Sequence, residues 1–409
     1  MSSAIAPSKD SIGPRGWIAF VICFLSNVFA GVVSTIMSVY LPTVVRDMIG
    51  MGNEQQLNDV GAYISSLYLV GWTIGGVAWG VISDKIGRSR SLCLSMACSG
   101  IFTVLIGFVS NWEYVVLFRF LAGFGVGGVL VTSTTLLAEI FPERLRAIYI
   151  GIMTIGFPVG IFSSGLVNSM VSGWQDGFLV GILPALLGVI SFGLLVESEV
   201  WKNNRDHQDA ATLGGSIKNL VQGSVVFGSV LIGLWATFSW VPTWVQSLLT
   251  NSDGQDERSL SMMLLGGGAL IGGFFSGWIS NALGPRRSMV LCFAGCFVLS
   301  FTLFKLTASV STVAYVEIAL LAFFFGISQG LLATYIPSLF PTSIRATATG
   351  ICFNVGRVFT AAAVFFVGSL VTTLGGYGNA IFIFSFVFLL GFAMLYVTPM
   401  QQEESKSNL

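Results

Sequence analysis

Apolar residues in this chain come in long runs separated by short polar stretches. A bilayer core about 30 Å thick takes about 20 apolar residues to cross as a helix. Twelve runs reach that length, over residues 17–40, 60–83, 90–109, 112–138, 147–171, 174–197, 219–249, 260–282, 288–306, 312–338, 346–373 and 376–398. Pro158, Pro184, Pro242 and Pro337 fall inside runs, as membrane helices tolerate where neighbours re-satisfy the backbone. The first run follows Lys9 and Arg15 and exceeds the 7–15 apolar residues of a signal-peptide core, so it reads as a span. The longest polar stretch, 198–218, holds Trp201-Lys202-Asn203-Asn204-Arg205-Asp206-His207 at mid-chain. It reads as a cytoplasmic linker between a six-span N-terminal bundle, 1–197, and a six-span C-terminal bundle, 219–409. The expected fold class is an all-α integral membrane protein.

Composition makes lipid the solvent. Of 409 residues, 54% are hydrophobic and 9% charged, where a soluble domain carries about 25% charged residues. Lysines plus arginines and aspartates plus glutamates number 19 each, so nothing draws the chain to nucleic acid. Forty-nine glycines suit close helix contacts. All six cysteines lie in apolar runs and read as small core residues, with no disulfide framework and no metal pattern. The single histidine, His207, lies in the linker, which excludes a buried histidine relay. Basic residues fix the orientation. With the N-terminus cytoplasmic, fourteen fall inside, three outside (Arg46, Arg258 and Lys305) and two within spans. Both termini are therefore expected in the cytoplasm, at a plasma membrane.

The chain repeats itself. Phe141-Pro142-Glu143-Arg144-Leu145-Arg146-Ala147, leading to Gly151, returns 199 residues later as Phe340-Pro341-Thr342-Ser343-Ile344-Arg345-Ala346, leading to Gly350. Gly80-Val81-Ile82-Ser83-Asp84-Lys85-Ile86-Gly87-Arg88 returns 197 residues later from Gly277 to Pro285. Parallel repeats of this kind are related by an axis along the membrane normal. The pattern Gly80-x-x-x-Asp84-x-x-Gly87-Arg88-x-Arg90 resembles the loop between the second and third helices of major facilitator transporters. Arg119-x-x-x-Gly123-x-Gly125-x-Gly127-Gly128 resembles their fourth-helix signature, and the Phe-Pro-x-x-x-Arg-Ala elements the loops after helices four and ten. Asn354-Val355-Gly356-Arg357 resembles the sialate and aromatic-acid proton symporter groups, although the acidic residue common in the first helix of the aromatic-acid group is missing here. The resemblance implies twelve helices in two bundles, alternating access and a cavity lined by helices one, four, seven and ten.

A charge at the centre of a membrane helix costs at least about 2.5–3.5 kcal/mol on insertion scales, so three residues stand out: Arg119, Glu317 and Arg357. By repeat position, Arg119 and Glu317 are expected to face each other across the outer half of the cavity. Either arginine would bind an anion, and Glu317 would take the coupling proton. The plainer readings are a backbone bond inside the N-terminal bundle for Arg119 and snorkelling to water for Glu317. Asn27, Trp240, Gln329, Tyr335 and Asn354 are further candidates for cargo contact, or else interhelical bonds. Asp84, Arg88, Arg90, Glu139, Arg146 and Arg345 are candidates for a gate at the cytoplasmic face, where Gly80 would allow close helix approach and Gly87 a tight turn. The plain reading there is a basic loop that sets topology. Asn281 stands where the repeat would place the carboxylate of Asp84, so the second-half latch should be the weaker.

Two arginines against one acid point to a secondary transporter of a small organic anion, a carboxylate, symported with protons. A carrier of neutral sugars or an exporter of amphipathic drugs is the alternative, and a receptor without flux another. The sequence holds no nucleophile–base set, metal cluster or Gly-x-x-x-x-Gly-Lys-Ser/Thr loop. No enzymatic activity, metal or cofactor is therefore expected, and the chain is expected to act as a monomer with protons and a small anion as its partners.

Overall fold

A computed structural model describes residues 13–50, 53–198, 201, 217–249, 253–340 and 344–396. The linker read from the sequence falls mostly outside these residues. Twelve helices are long and apolar enough to cross a membrane, and no strand occurs among the described residues. The first set comprises α1 (Pro14–Ile49), α2 (Glu54–Ile86), α3 (Arg88–Ile106), α4 (Trp112–Ile140), α5 (Glu143–Met170) and α6 (Trp174–Leu194). The second comprises α7 (Ile217–Ser247), α8 (Gln255–Leu283), α9 (Pro285–Leu306), α10 (Thr312–Ser338), α11 (Arg345–Ser369) and α12 (Tyr377–Met394). Odd-numbered helices start at the face where α1 begins and α12 ends, the terminal face. Even-numbered helices start at the opposite, far face.

Several helices outrun the apolar runs that announced them. α1 continues past Tyr40 to Ile49 with Pro42 inside it, and Arg46 sits in its last turn, where a cation suits the helix dipole. Val44 and Val45 are buried there, so tertiary packing carries the helix beyond the proline. α2 starts at Glu54 because the Asn53 side chain caps it, accepting from Gln56 N at 2.7 Å. In α6 the chain tightens to a 3-10 turn at Leu179–Gly181. Pro184 lacks the N–H that would reach the carbonyl four residues back.

The sequence repeat reappears as a packing repeat. A Cβ on Gly75 of α2 would stand 2.1 Å from the Phe124 carbonyl oxygen of α4, and a Cβ on Gly272 of α8 would stand 2.0 Å from that of Phe323 of α10. α2 therefore crosses α4 as α8 crosses α10, each backbone lying directly on a glycine. The turns that follow match as well. Gly87 and Gly284 both take positive φ, +104° and +82°, which only glycine adopts cheaply. Gly80 behaves otherwise. A Cβ there would meet nothing within 4 Å, so the close approach expected at Gly80 is not made in this conformation.

Candidate functional site

The two sets of helices meet in the far half of the molecule. Gln55 Nε2 donates to Ser369 O (3.0 Å), and the Thr372 hydroxyl donates to Gln55 Oε1. Tyr377 donates to Asn58, and Asn168 Nδ2 donates to Ser259 Oγ (2.7 Å). Among the described residues, every hydrogen bond between the sets lies near this face. Arg258 belongs to the same seam. The sequence placed it in an outer loop, yet it lies in the first turn of α8 and is 2% exposed. Its Nη1 donates to Gln246 Oε1 (2.6 Å) and Asp253 O (2.7 Å), while Nη2 reaches Thr43 Oγ1 of α1 (3.4 Å). The deepest contacts between the sets are aromatic. Trp235 of α7 meets Trp72 of α2 at 5.3 Å and Phe157 of α5 at 6.5 Å between centroids.

The two intramembrane arginines have different surroundings. Arg119 is turned into its own set. Its Nη1 donates to Val33 O (2.8 Å), Nη2 to Ser34 O (3.4 Å), and its guanidinium lies 3.9 Å from the centroid of the Tyr68 ring. Arg357 has no hydrogen bond or ion pair among the described residues. Its guanidinium is half-buried, 5.9 Å from the centroid of Phe227, at the limit of a cation–π contact. One turn back, Asn354 Nδ2 donates to Gly350 O (2.9 Å), but its Oδ1 is buried without a partner. Gln329 is exposed. It stands one turn past Phe325, which meets Phe238 of α7, and Gly326, which lies on the Ala269 carbonyl of α8. The side of α10 that bears Gln329 therefore faces α7 and α8.

Four other residues assigned to cargo are committed to protein partners instead. Besides Arg119, Asn27 Nδ2 bonds Cys23 O (2.9 Å) and Ser133 Oγ of α4 (3.1 Å). Tyr335 is fully buried, and its hydroxyl accepts from Gln222 Nε2 of α7 (3.0 Å). Trp240 donates to Val364 O of α11 (3.1 Å); a Cβ on Gly368 of α11 would press on its ring, and one on Gly61 of α2 would lie in ordinary contact with it. Trp240 is a wedge in the seam. The expected Arg119–Glu317 pair across the cavity does not form. Glu317 lies two turns before Phe324, whose ring packs at Gly295 of α9. That side of α10 is turned from α7 and α8, and Glu317 is half-buried with no hydrogen bond or ion pair among the described residues.

At the terminal face, Arg88 bonds Asp84, and its Nε donates to Glu139 Oε1 (3.0 Å). The expected gate residues are thus joined within the first set. Glu197, just after α6, completes the cluster. Its carboxylate accepts from Arg88 N (2.7 Å) and Ser89 N (3.2 Å), capping α3, and the Trp201 indole donates to Asp84 O (2.9 Å). Sequence reasoning passed over Glu197, although an acid closing the sixth apolar run, 174–197, was its visible signal. Arg90 is exposed, and Arg146 is half-buried with Nε unpartnered. The Arg345 side chain lies outside what the structure describes.

Residues 18–364 match the family model described as Major Facilitator Superfamily. The chain is 26% identical to the cis,cis-muconate transport protein of Acinetobacter baylyi, covering 88% of this chain and 89% of that one. It is 26% identical to the gentisate transporter of Corynebacterium glutamicum (84% and 80%) and 25% identical to the sialic acid transporter NanX of Escherichia coli (92% of each). Its fold matches the inward open conformation of the xylose transporter XylE from E. coli with a TM-score of 0.80 at 18% identity, covering 96% and 99% of the two chains.

Proposed function

The chain belongs to the Major Facilitator Superfamily and is a multi-pass membrane transporter, not an enzyme, and on that premise we propose that it carries a small organic carboxylate by alternating access. The observation that carries this reading is Arg357. A guanidinium keeps its charge, and a charge in the hydrocarbon is costly unless paired. Among the described residues no protein group pairs it. A carboxylate matches the guanidinium in charge and fork geometry, with Asn354 and Gln329 to orient it. Relatives named for muconate, gentisate and sialic acid, all organic acids, support the substrate class.

The seam supports the cycle. In this conformation the far face is locked by Arg258, Asn168 and Gln55, while Gly80 is free of contacts. Alternating access exchanges these conditions: the far seam opens as the terminal face closes on Gly80 and the Asp84–Arg88–Glu139 cluster. The terminal face is the cytoplasmic one of a plasma membrane, by the excess of basic residues there. The carrier works as a monomer. Glu317, in α10 and free of partners, supplies the protonatable group for symport. A thermal-shift screen of the purified protein against carboxylates and neutral sugars tests the substrate class, because a ligand of the folded state stabilises it by mass action. Carboxylate hits that vanish in Arg357→Gln uphold it; hits confined to sugars overturn it.

A further inference from the structure

Glu197 does a job in the first set that no acid does in the second. Its carboxylate fills the space beside the turn between α2 and α3, where a Cβ on Gly87 would stand 2.1 Å from Glu197 Oε2. The turn between α8 and α9 repeats that backbone, with Gly284 at φ +82°, yet a Cβ on Gly284 would meet nothing within 4 Å. The space that a carboxylate fills in one half is open in the other. A cavity of about 410 Å³ lies there, lined by Leu283, Gly284, Arg286, Arg287, Val290 and, just past the end of α12, Tyr396. Small-ligand pockets measure about 300–1,000 Å³.

The halves differ in charge as well as in space. Around Arg88 the first set gathers three acids, Asp84, Glu139 and Glu197. The repeat offsets of 197 and 199 put Asn281 and Ser338 in place of the first two, and among the described residues no acid lines the cavity. The cations remain. Arg286 lays its guanidinium 4.6 Å from the centroid of the Tyr396 ring. Arg287 is exposed, with no hydrogen bond or ion pair among the described residues. Both stand in the first turn of α9, where the helix dipole already favours an anion. Two guanidiniums at such a place suit a phosphate. The surface below the cavity points to the source of that phosphate. Leu291, Ala294, Val298 and Phe301 follow Arg287 down α9 at helical spacing, and all are exposed. Phe392 of α12 is exposed as well, 5.8 Å from Tyr396 between centroids. Acyl chains are the solvent for such faces of spanning helices. A phospholipid sets its phosphate on the arginines and its chains along this stripe, as basic pockets on the cytoplasmic side of spanning helices take anionic headgroups.

We propose that this cavity holds the headgroup phosphate of an anionic glycerophospholipid from the leaflet at the terminal face. The lipid does for the α8–α9 turn what Glu197 does for the α2–α3 turn. The site is separate from Arg357 and does not depend on which cargo the protein carries.

Binding of dioleoyl phosphatidylglycerol and dioleoyl phosphatidylcholine to the purified full chain in detergent, read by native mass spectrometry with and without inorganic phosphate, tests it. The expected result is one phosphatidylglycerol held roughly tenfold or more tighter than phosphatidylcholine, the worth of a charge-assisted hydrogen bond. Arg287→Gln, a change at an exposed position, lowers that preference, and Arg286→Gln/Arg287→Gln removes it. Arg90→Gln makes the same charge change at the matching position of the first set, where Glu197 fills the space, and keeps the preference. Equal binding of the two lipids, or a preference that survives the double variant, overturns the proposal. An equal loss in Arg90→Gln also overturns it, because the attraction is then one of overall charge. Displacement of the lipid by inorganic phosphate gives the cavity to a soluble anion instead. A preference seen only in Glu403→Gln/Glu404→Gln gives it to the chain's own tail, and either result overturns the lipid as its occupant.

Discussion

Arg119 lies over the ring of Tyr68, 3.9 Å from its centroid, while its Nη1 holds the carbonyl of Val33. One side chain thereby ties α4 to α2 and to α1. Its guanidinium is held by two carbonyls and a ring of the first set, with Nε left unpartnered, whereas Arg357 has no hydrogen bond among the described residues. Substitution should separate the two. Arg119→Gln removes a buried cation and its hydrogen bonds and is expected to destabilise the fold by about 1–3 kcal/mol, read as a lowered Tm. Arg357→Gln is expected to keep Tm and to weaken carboxylate binding ten- to hundredfold, the worth of a charge-assisted bond of about 1.5–3 kcal/mol.

Two glycines of α2 should respond in opposite ways. Gly75→Ala drives a methyl onto the Phe124 carbonyl and is expected to cost about 1–3 kcal/mol as overpacking, visible as a lower Tm and poorer yield. Gly80→Ala meets open space and should leave Tm near wild type. Transport should still slow, because the terminal face must close over that position during the cycle. Full transport in Gly80→Ala would remove Gly80 from the moving surface.

The bond between Thr372 and Gln55 joins the sets at the far face. With the native cysteines replaced, Gln55→Cys/Thr372→Cys should cross-link under oxidant. Uptake should stop and return on reduction. Uptake that continues with the link intact would show that this seam need not part.

Proton coupling rests on Glu317. Glu317→Gln should abolish uptake driven by a pH gradient while counterflow exchange of the carboxylate persists. Undiminished pH-driven uptake in Glu317→Gln would place the proton elsewhere.

The twelve spans were legible because span length and hydropathy are properties of local sequence, and the repeat was legible because its glycines do the same job twice. Helix ends were less so. α1 runs past Pro42 on packing that only tertiary neighbours supply, which put Arg46 in its last turn rather than in a loop. Arg119 and Arg357 stood out as charges in hydrocarbon, but which one was already paired depends on carbonyls of α1, some 85 residues away in sequence. Repeat position set Glu317 opposite Arg119. The rotation of α10, visible only through Phe324 and Gly295, turns it aside.

The central claim is that Arg357 receives a carboxylate that the protein then carries across the membrane. Flux of labelled hydroxybenzoate into proteoliposomes, compared with its neutral amide and with Arg357→Gln protein, tests it most directly. Saturable uptake of the acid, with little uptake of the amide and none by Arg357→Gln, is the expected result. Uptake of acid and amide at equal rates, or acid uptake undiminished in Arg357→Gln, would contradict it.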